Sequence, residues 1–258
     1  MDRSEHPDSS PPLQATFDAV EAKVGYLRAS TTAPADDGWL RCHELIADPG
    51  ALAELIRSTG EGRGAHEAQV AASLFVQGYA FRIPSVALAA YALGLDRPRL
   101  DPASTATKIG RNRPAAVAYL DPDPGPHGPA ALAGELLDHL GALIAAVRSE
   151  ITIGERILWG NVAASVATAF RAVEGESPER RDAIRDSADA FFAAASPQLA
   201  GLGEFVLVDG PDRQGWFWQR TNCCLWYQTA DGTMCDDCSL LDPDERLAGW
   251  RAQLEPAS

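Results

Sequence analysis

Apolar positions recur at helical spacing through most of this chain. Over residues 13–29, Phe17, Val20, Val24 and Leu27 share one face and predict an amphipathic opening helix, which residues 30–38 break. Asp48, Pro49 and Gly50 form a helix start, with Leu52, Leu55 and Ile56 as its buried stripe before Gly60. Residues 61–64, Glu-Gly-Arg-Gly, read as a loop, and a further helix is expected over 65–77. After Gly78 the run 85–93 is rich enough in Ala and Leu for a core helix, and Pro84 suits its first turn. From 96 to 129 the pattern breaks into short pieces: 105–109 and 115–120 are β-compatible and predict a hairpin about residues 110–113. Residues 121–129 hold six prolines and glycines in nine positions and predict a surface connector.

The second half opens on the clearest stripe in the chain, Leu132, Leu136, Leu140, Leu143, Ile144 and Val147. A helix over 155–171 follows, with Val162, Val166 and Phe170 on one face and Asn161 interrupting an otherwise apolar stretch. Ser177 as cap and Pro178 at the first position predict a third helix, carrying Ile184, Ala188, Phe191 and Phe192 and stopping before Pro197. Residues 205–208 and 216–221 read as strands joined by the turn-forming 209–215. The fold class is therefore α+β and predominantly α-helical: a helical body with small antiparallel β segments beside the C-terminal loop. Residues 1–12, polar and bearing Asp2, Glu5 and Asp8, predict a disordered tail. A single domain over 13–258 follows, with halves 13–120 and 130–258 joined by the connector 121–129.

Charge narrows the function. Lys plus Arg number 22 against 36 Asp plus Glu, a formal net charge of −14, so the surface repels phosphate backbones and nucleic-acid binding is not expected. The start of the chain lacks the basic and apolar run of a signal peptide. The uncharged stretches 83–95 and 157–170 fall short of the roughly 18 residues that span a bilayer. The expectation is a cytoplasmic protein without an integral membrane segment, in whose reducing surroundings cysteines stay free for metal.

Four of the five cysteines, Cys223, Cys224, Cys235 and Cys238, form a C-C-x10-C-x2-C pattern within residues 221–240. Soft thiolates in this number suit zinc or an iron–sulfur cluster. Neighbouring residues in extended backbone point their side chains to opposite sides, so C-C replaces the usual C-x2-C knuckle of structural zinc poorly. A [2Fe–2S] cluster, which spreads four ligands over two irons, accommodates it better. Either Cys235 and Cys238 share one iron and Cys223 and Cys224 the other, or the pairs cross. Asp236 and Asp237 lie inside the C-x2-C turn, with Asp231 and Asp242 near, and such charge disfavours adding an electron. Trp216, Trp218, Trp226 and Tyr227 crowd the region, either as a wall of the core or as a platform for a ligand, and Arg220 among them either offsets acid charge or is a solvated surface arginine. Lys108, Arg111 and Arg113 on the hairpin are the one local basic group, suited to solvent or to an anionic ligand. Cys42 in Arg-Cys-His-Glu-Leu stands apart as an incidental thiol, and His66, His127 and His139 have no ligand spacing. Gly60, Gly62 and Gly64 lack the G-x-G-x-x-G order, so neither NAD(P) nor flavin is expected on this chain.

At these cysteines, at the aromatic Cys-Cys-Leu-Trp-Tyr of 223–227 and at Leu-Trp-Gly-Asn of 158–161, the sequence resembles the FhuF family of ferric-siderophore reductases. The resemblance implies an oxidoreductase in iron acquisition. Cys223, Cys224, Cys235 and Cys238 would hold a [2Fe–2S] cluster that donates one electron to the Fe(III) of an imported siderophore. An external ferredoxin or flavin/NAD(P)H reductase would supply that electron. The acidic surface favours a neutral hydroxamate complex as substrate. Two other functions stay open at this level: a siderophore-binding or redox-sensing [2Fe–2S] module without turnover, and a structural-zinc interaction domain.

Overall fold

The structure is a computed structural model and describes residues 12–34, 38–110, 113–196 and 198–255. The tail expected over 1–12 therefore lies outside the described residues except for Pro12, as do Arg111 and Asn112 at the hairpin tip and Pro197. Helices take 54% of the chain, with small sheets beside them, which is the helix-dominated α+β class.

Two helices rich in small residues form the centre. In α4 (Ala68–Arg82) Val70 to Val76 are all buried, and in α7 (Glu155–Gly175) so is nearly every residue from Leu158 to Phe170. Alanines and serines at 71, 72, 73, 163, 164 and 165 let the two backbones approach closely, and the pair packs directly together. Against α4 lies α3 (Pro49–Arg63), whose start is capped by Asp48 accepting from the Ala51 amide at 3.0 Å. A Cβ at Gly60 would stand 2.7 Å from the Ala71 Cβ, so the α3–α4 contact requires glycine there. This corrects the loop expected over 61–64: the helix runs to Arg63 and ends on Gly64, at φ 64°. Gly78 likewise interrupts nothing, because its open side faces a cavity rather than a chain turn.

Around this pair stand α5 (Ser85–Ala92), α6 (Pro129–Glu150) and α8 (Arg181–Ala194), each burying the stripe its sequence predicts. The start of α8 differs from expectation: Pro178–Arg180 form a 3-10 turn, and the Ser177 side chain makes no cap bond. By length and composition α6 could cross a bilayer, with a mean hydropathy of 1.5, yet its Leu132, Leu136, Leu140, Leu143 and Val147 are buried in the protein core. His139 on α6 is buried too, its Nε2 accepting from the Tyr79 hydroxyl at 2.8 Å and its Nδ1–H donating to the Leu100 carbonyl at 2.6 Å.

The hairpin forms as expected, β3 (Thr105–Gly110) with β4 (Arg113–Tyr119), and two strands too short for any periodicity flank it. They are β1 (Ala29–Ser30), parallel to β4, and β2 (Trp39–Arg41), antiparallel to β3, giving the order β1-β4-β3-β2. The opening helix α1 (Pro12–Lys23) stops six residues before the predicted end, since Ala29 and Ser30 pair with Val117 and Ala118 instead. Val24 and Leu27 are buried from the intervening turn. A short helix, α2 (Cys42–Ala47), places Cys42 wholly inside, where burial pushes its thiol up to about 12. The second hairpin, β5 (Gly203–Asp209) with β6 (Gln214–Arg220), leans on α7, and α9 (Pro243–Ala252) covers it by stacking Trp250 on Phe217 at 5.1 Å.

Candidate metal centre

β6 delivers the cysteine loop to the α4–α7 pair, and two residues of the Leu158-to-Asn161 stretch seat it there. At Gly160 a Cβ would lie 1.9 to 2.2 Å from the amide atoms of Asn222, so only a bare backbone lets the residue before Cys223 dock on α7. One position on, buried Asn161 donates to the Ser73 carbonyl at 3.0 Å and to the Ser73 hydroxyl at 2.8 Å. That hydroxyl donates to the Cys224 carbonyl at 2.7 Å. The polar residue that interrupts an apolar helix is thus one end of a relay from α7 through α4 to the cysteine loop.

After Cys224 the chain reverses through Leu225, which has φ 67° and is the one non-glycine residue with positive φ among the described residues. A left-handed leucine costs on the order of 1 kcal/mol, and the reversal brings its amide to the Cys223 sulfur at 3.3 Å. A 3-10 turn, Trp226–Gln228, follows, anchored where the Ala230 amide meets the Gly64 carbonyl at 2.9 Å. The Cys238 amide closes on the Cys235 carbonyl at 2.9 Å, which makes the C-x2-C a tight turn, and Arg246 of α9 donates to the Cys238 carbonyl at 3.1 Å.

The four cysteines differ in burial: Cys224 and Cys238 are buried, Cys223 and Cys235 half-buried. The Cys224 and Cys235 sulfurs lie 3.6 Å apart. Two thiolates sharing one tetrahedral metal at about 2.3 Å stand roughly 3.8 Å apart, so this pair has the spacing of a shared metal. Among the described residues no group of three or more His, Cys, Asp or Glu converges as a metal cage, and the centre is organised as this close pair with Cys223 and Cys238 beside it. As free thiols the pair shares a proton: Cys235 donates to Cys224, which drives the Cys224 thiol below its usual range and the Cys235 thiol far above it. Burial, and next the charges of Cys224 and Cys238, raise Cys223, against the Leu225 amide.

Arg220 is no surface residue. It is 2% exposed, its Nε donates to Asp237 at 3.0 Å, and its Nη1 and Nη2 are buried without a partner among the described residues. Burial works against its charge, but Asp237 and the thiols of Cys224 and Cys235 hold it protonated above the ordinary arginine value. The acid charge expected around the motif is therefore partly neutralised: Asp237 is paired, Asp236 accepts from Gln253 at 2.9 Å, and Asp242 caps α9.

Cys224, Cys235 and Arg220 open onto a cavity of about 480 Å³. Its floor is the polar side of α4 and α7, with Gln77, Ser165 and Thr168, and its walls carry Arg63, Arg171 and Trp226. Of the aromatic residues expected here, Trp226 lines the cavity and Tyr227 is 41% exposed at the loop surface. Trp216 and Trp218 do not belong to the site. They face the opposite side of β6, where Trp216 stacks on Phe205 at 3.9 Å and Trp218 on Phe192 at 4.9 Å, and Phe217 takes the cavity side. Strand alternation decides this, since 216 and 218 share one face and 217 the other. Of the hairpin cations, Arg113 acts on the wall, its charge adding to burial in lowering Arg63 and Arg82. Lys108 sits half-buried on β3, and Arg111 lies outside the described residues. Sequence reasoning missed Arg63, Arg171 and Ser73. Ser73 had a signal, a lone polar residue in an apolar helix like Asn161, whereas the two arginines sit at ends of helical stripes with nothing to set them apart.

No curated protein matches the chain. Residues 220–240, which hold Arg220, the four cysteines and Trp226, match the family model of the FhuF 2Fe-2S C-terminal domain, and over that segment the chain is FhuF-like.

Proposed function

We propose that this protein is a cytoplasmic [2Fe–2S] ferric-siderophore reductase that works in iron acquisition. The observation that carries the reading is the close thiol pair Cys224–Cys235 opening onto a cavity, within the segment that matches the FhuF 2Fe-2S domain. Cys223, Cys224, Cys235 and Cys238 would hold the cluster, and the 3.6 Å spacing favours an arrangement in which Cys224 and Cys235 would share an iron. Such a group, when bound, supplies single electrons.

The surrounding residues do the rest. Ser73 and Asn161 fix the Cys224 backbone, the Leu225 amide donates to the Cys223 sulfur, and Arg220 sets a buried positive charge beside the thiolates. Trp226 and the α4–α7 floor bound the space in which a chelate sits, and its volume is that of a small-molecule site. One electron passes to the Fe(III) of the substrate, giving Fe(II), which oxygen chelators hold far more weakly. A separate ferredoxin or flavin/NAD(P)H reductase returns the electron.

Anaerobic stopped-flow mixing of dithionite-reduced protein with a ferric siderophore and a ferrous trap tests the proposal. A ferrous burst stoichiometric with re-oxidation is expected. Binding without re-oxidation would assign the protein to a sensing role instead.

A further inference from the structure

The acidic surface argues for a neutral substrate, but the cavity beside Cys224 and Cys235 is lined in the opposite sense. Arg171 is fixed from behind, its Nε donating to the Trp216 carbonyl at 2.6 Å and its guanidinium lying over Phe217 at 4.9 Å. Arg63 is laid over Trp226 with 5.3 Å to the ring centroid. Each cation thus rests on an aromatic wall of the cavity, and neither has a carboxylate within 4.0 Å among the described residues. The two acids in the lining are hydrogen-bonded elsewhere, Asp237 to Arg220 and Asp236 to Gln253, and reach Arg171 through their charge alone. Arg82 and Arg113 add to the field from the ends of α4 and β4, again without a carboxylate partner among the described residues.

From this lining we infer that the cavity takes an anionic ferric chelate, with phenolate or carboxylate oxygens around the iron, whose outward oxygens are held between Arg63 and Arg171. The inference rests on the ferric-reductase reading and names its substrate class. Guanidinium groups held in place by stacking and by a backbone acceptor present their remaining N–H donors in a fixed fork, which suits such oxygens. A neutral chelate of similar size offers no formal charge to these donors, which at Arg171 are then met only by the more distant Asp237, Glu174 and Asp236. Gly78 gives the chelate room: no atom lies within 4 Å of where its Cβ would be, and it lines the same cavity.

Calorimetric titration of the cluster-loaded protein with redox-inert gallium(III) complexes separates binding from electron transfer. The tris-catecholate trianion should bind at least about tenfold more tightly than a neutral tris-hydroxamate, an advantage that shrinks as salt rises. R63Q and R171Q should each remove most of that preference, costing the tris-catecholate complex far more affinity than the hydroxamate. If R171Q fails to fold, R63Q, half-buried at the last position of α3, carries the test. G78L, a good helix former, should weaken every chelate and leave iron content and the reduced-cluster spectrum intact. Equal affinities, a tighter hydroxamate or an indifferent G78L would overturn the inference, and ferrous release from a hydroxamate complex would then keep the reductase reading. If no ferric chelate re-oxidises the reduced protein, the reductase reading itself fails.

Discussion

Asn161→Ala tests whether the relay from α7 to the cysteine loop holds the centre in place. The substitution removes two hydrogen bonds, at 2.8 and 3.0 Å, between residues that are 0% exposed. Each such bond contributes about 1 kcal/mol net, and the buried Ser73 groups left behind, with the small void, add a comparable penalty, for a total of about 2–4 kcal/mol. At about 2–4 °C per kcal/mol for a chain near this size, the midpoint of thermal unfolding should fall by roughly 5–15 °C. The measurement belongs on metal-free protein, where bound metal cannot mask the loss. Iron loading should fall as well, because the Ser73 hydroxyl that Asn161 orients is the group holding the Cys224 carbonyl. Asn161→Asp keeps the shape but turns an acceptor toward the Ser73 carbonyl, and should cost at least as much. In a cycle with Ser73→Ala the two losses should be less than additive. An Asn161→Ala protein that melts within about 1 °C of the parent and loads iron normally refutes the relay, since the expected loss is several times larger.

Gly160→Ala drives a methyl group into the Asn222 amide and should cut iron per chain sharply while the helical circular dichroism changes little. Arg220→Met removes the buried cation beside Cys224 and Cys235; the reduction potential, followed by spectroscopic titration, should fall on the order of 60 mV, a tenfold change for one electron. An unchanged potential would show that Asp237 already cancels the charge. His139 carries a pH dependence: burial lowers it from 6.5 to about 4, so the unfolded chain takes up its proton first as pH falls. Its contribution is present above pH 6.5 and is lost toward pH 4, and relative to His139→Gln the protein should lose about 3 kcal/mol across that window in denaturant titrations. Parallel pH profiles for the two proteins would contradict this.

Much of this was legible in the residues. Helix stripes such as Leu132 to Val147 report burial directly, and the cysteine spacing declares its chemistry without any fold. What the sequence hid was long-range. β1 and β2 are two and three residues long and exist only because the hairpin edges accept them. The glycines at 60, 64 and 78 read as breaks, but close packing on Ala71, a helix end and an open cavity are what use them. Trp216 and Trp218 were near the motif in sequence, yet strand alternation sends them into the core. Arg63 and Arg171 reach the cavity from helices far apart in the chain, a meeting that no local pattern encodes. Arg220 looked like one more exposed cation until β6 buried it behind the thiols.

On the proposed reading, the four cysteines hold a two-iron cluster that gives up single electrons. Electron paramagnetic resonance of the dithionite-reduced protein, with iron and acid-labile sulfide assayed on the same sample, tests it most directly. One unpaired spin per chain is expected, abolished by Cys224→Ser, with iron and sulfide in equal amounts. A colourless, resonance-silent protein that carries a single zinc would contradict it.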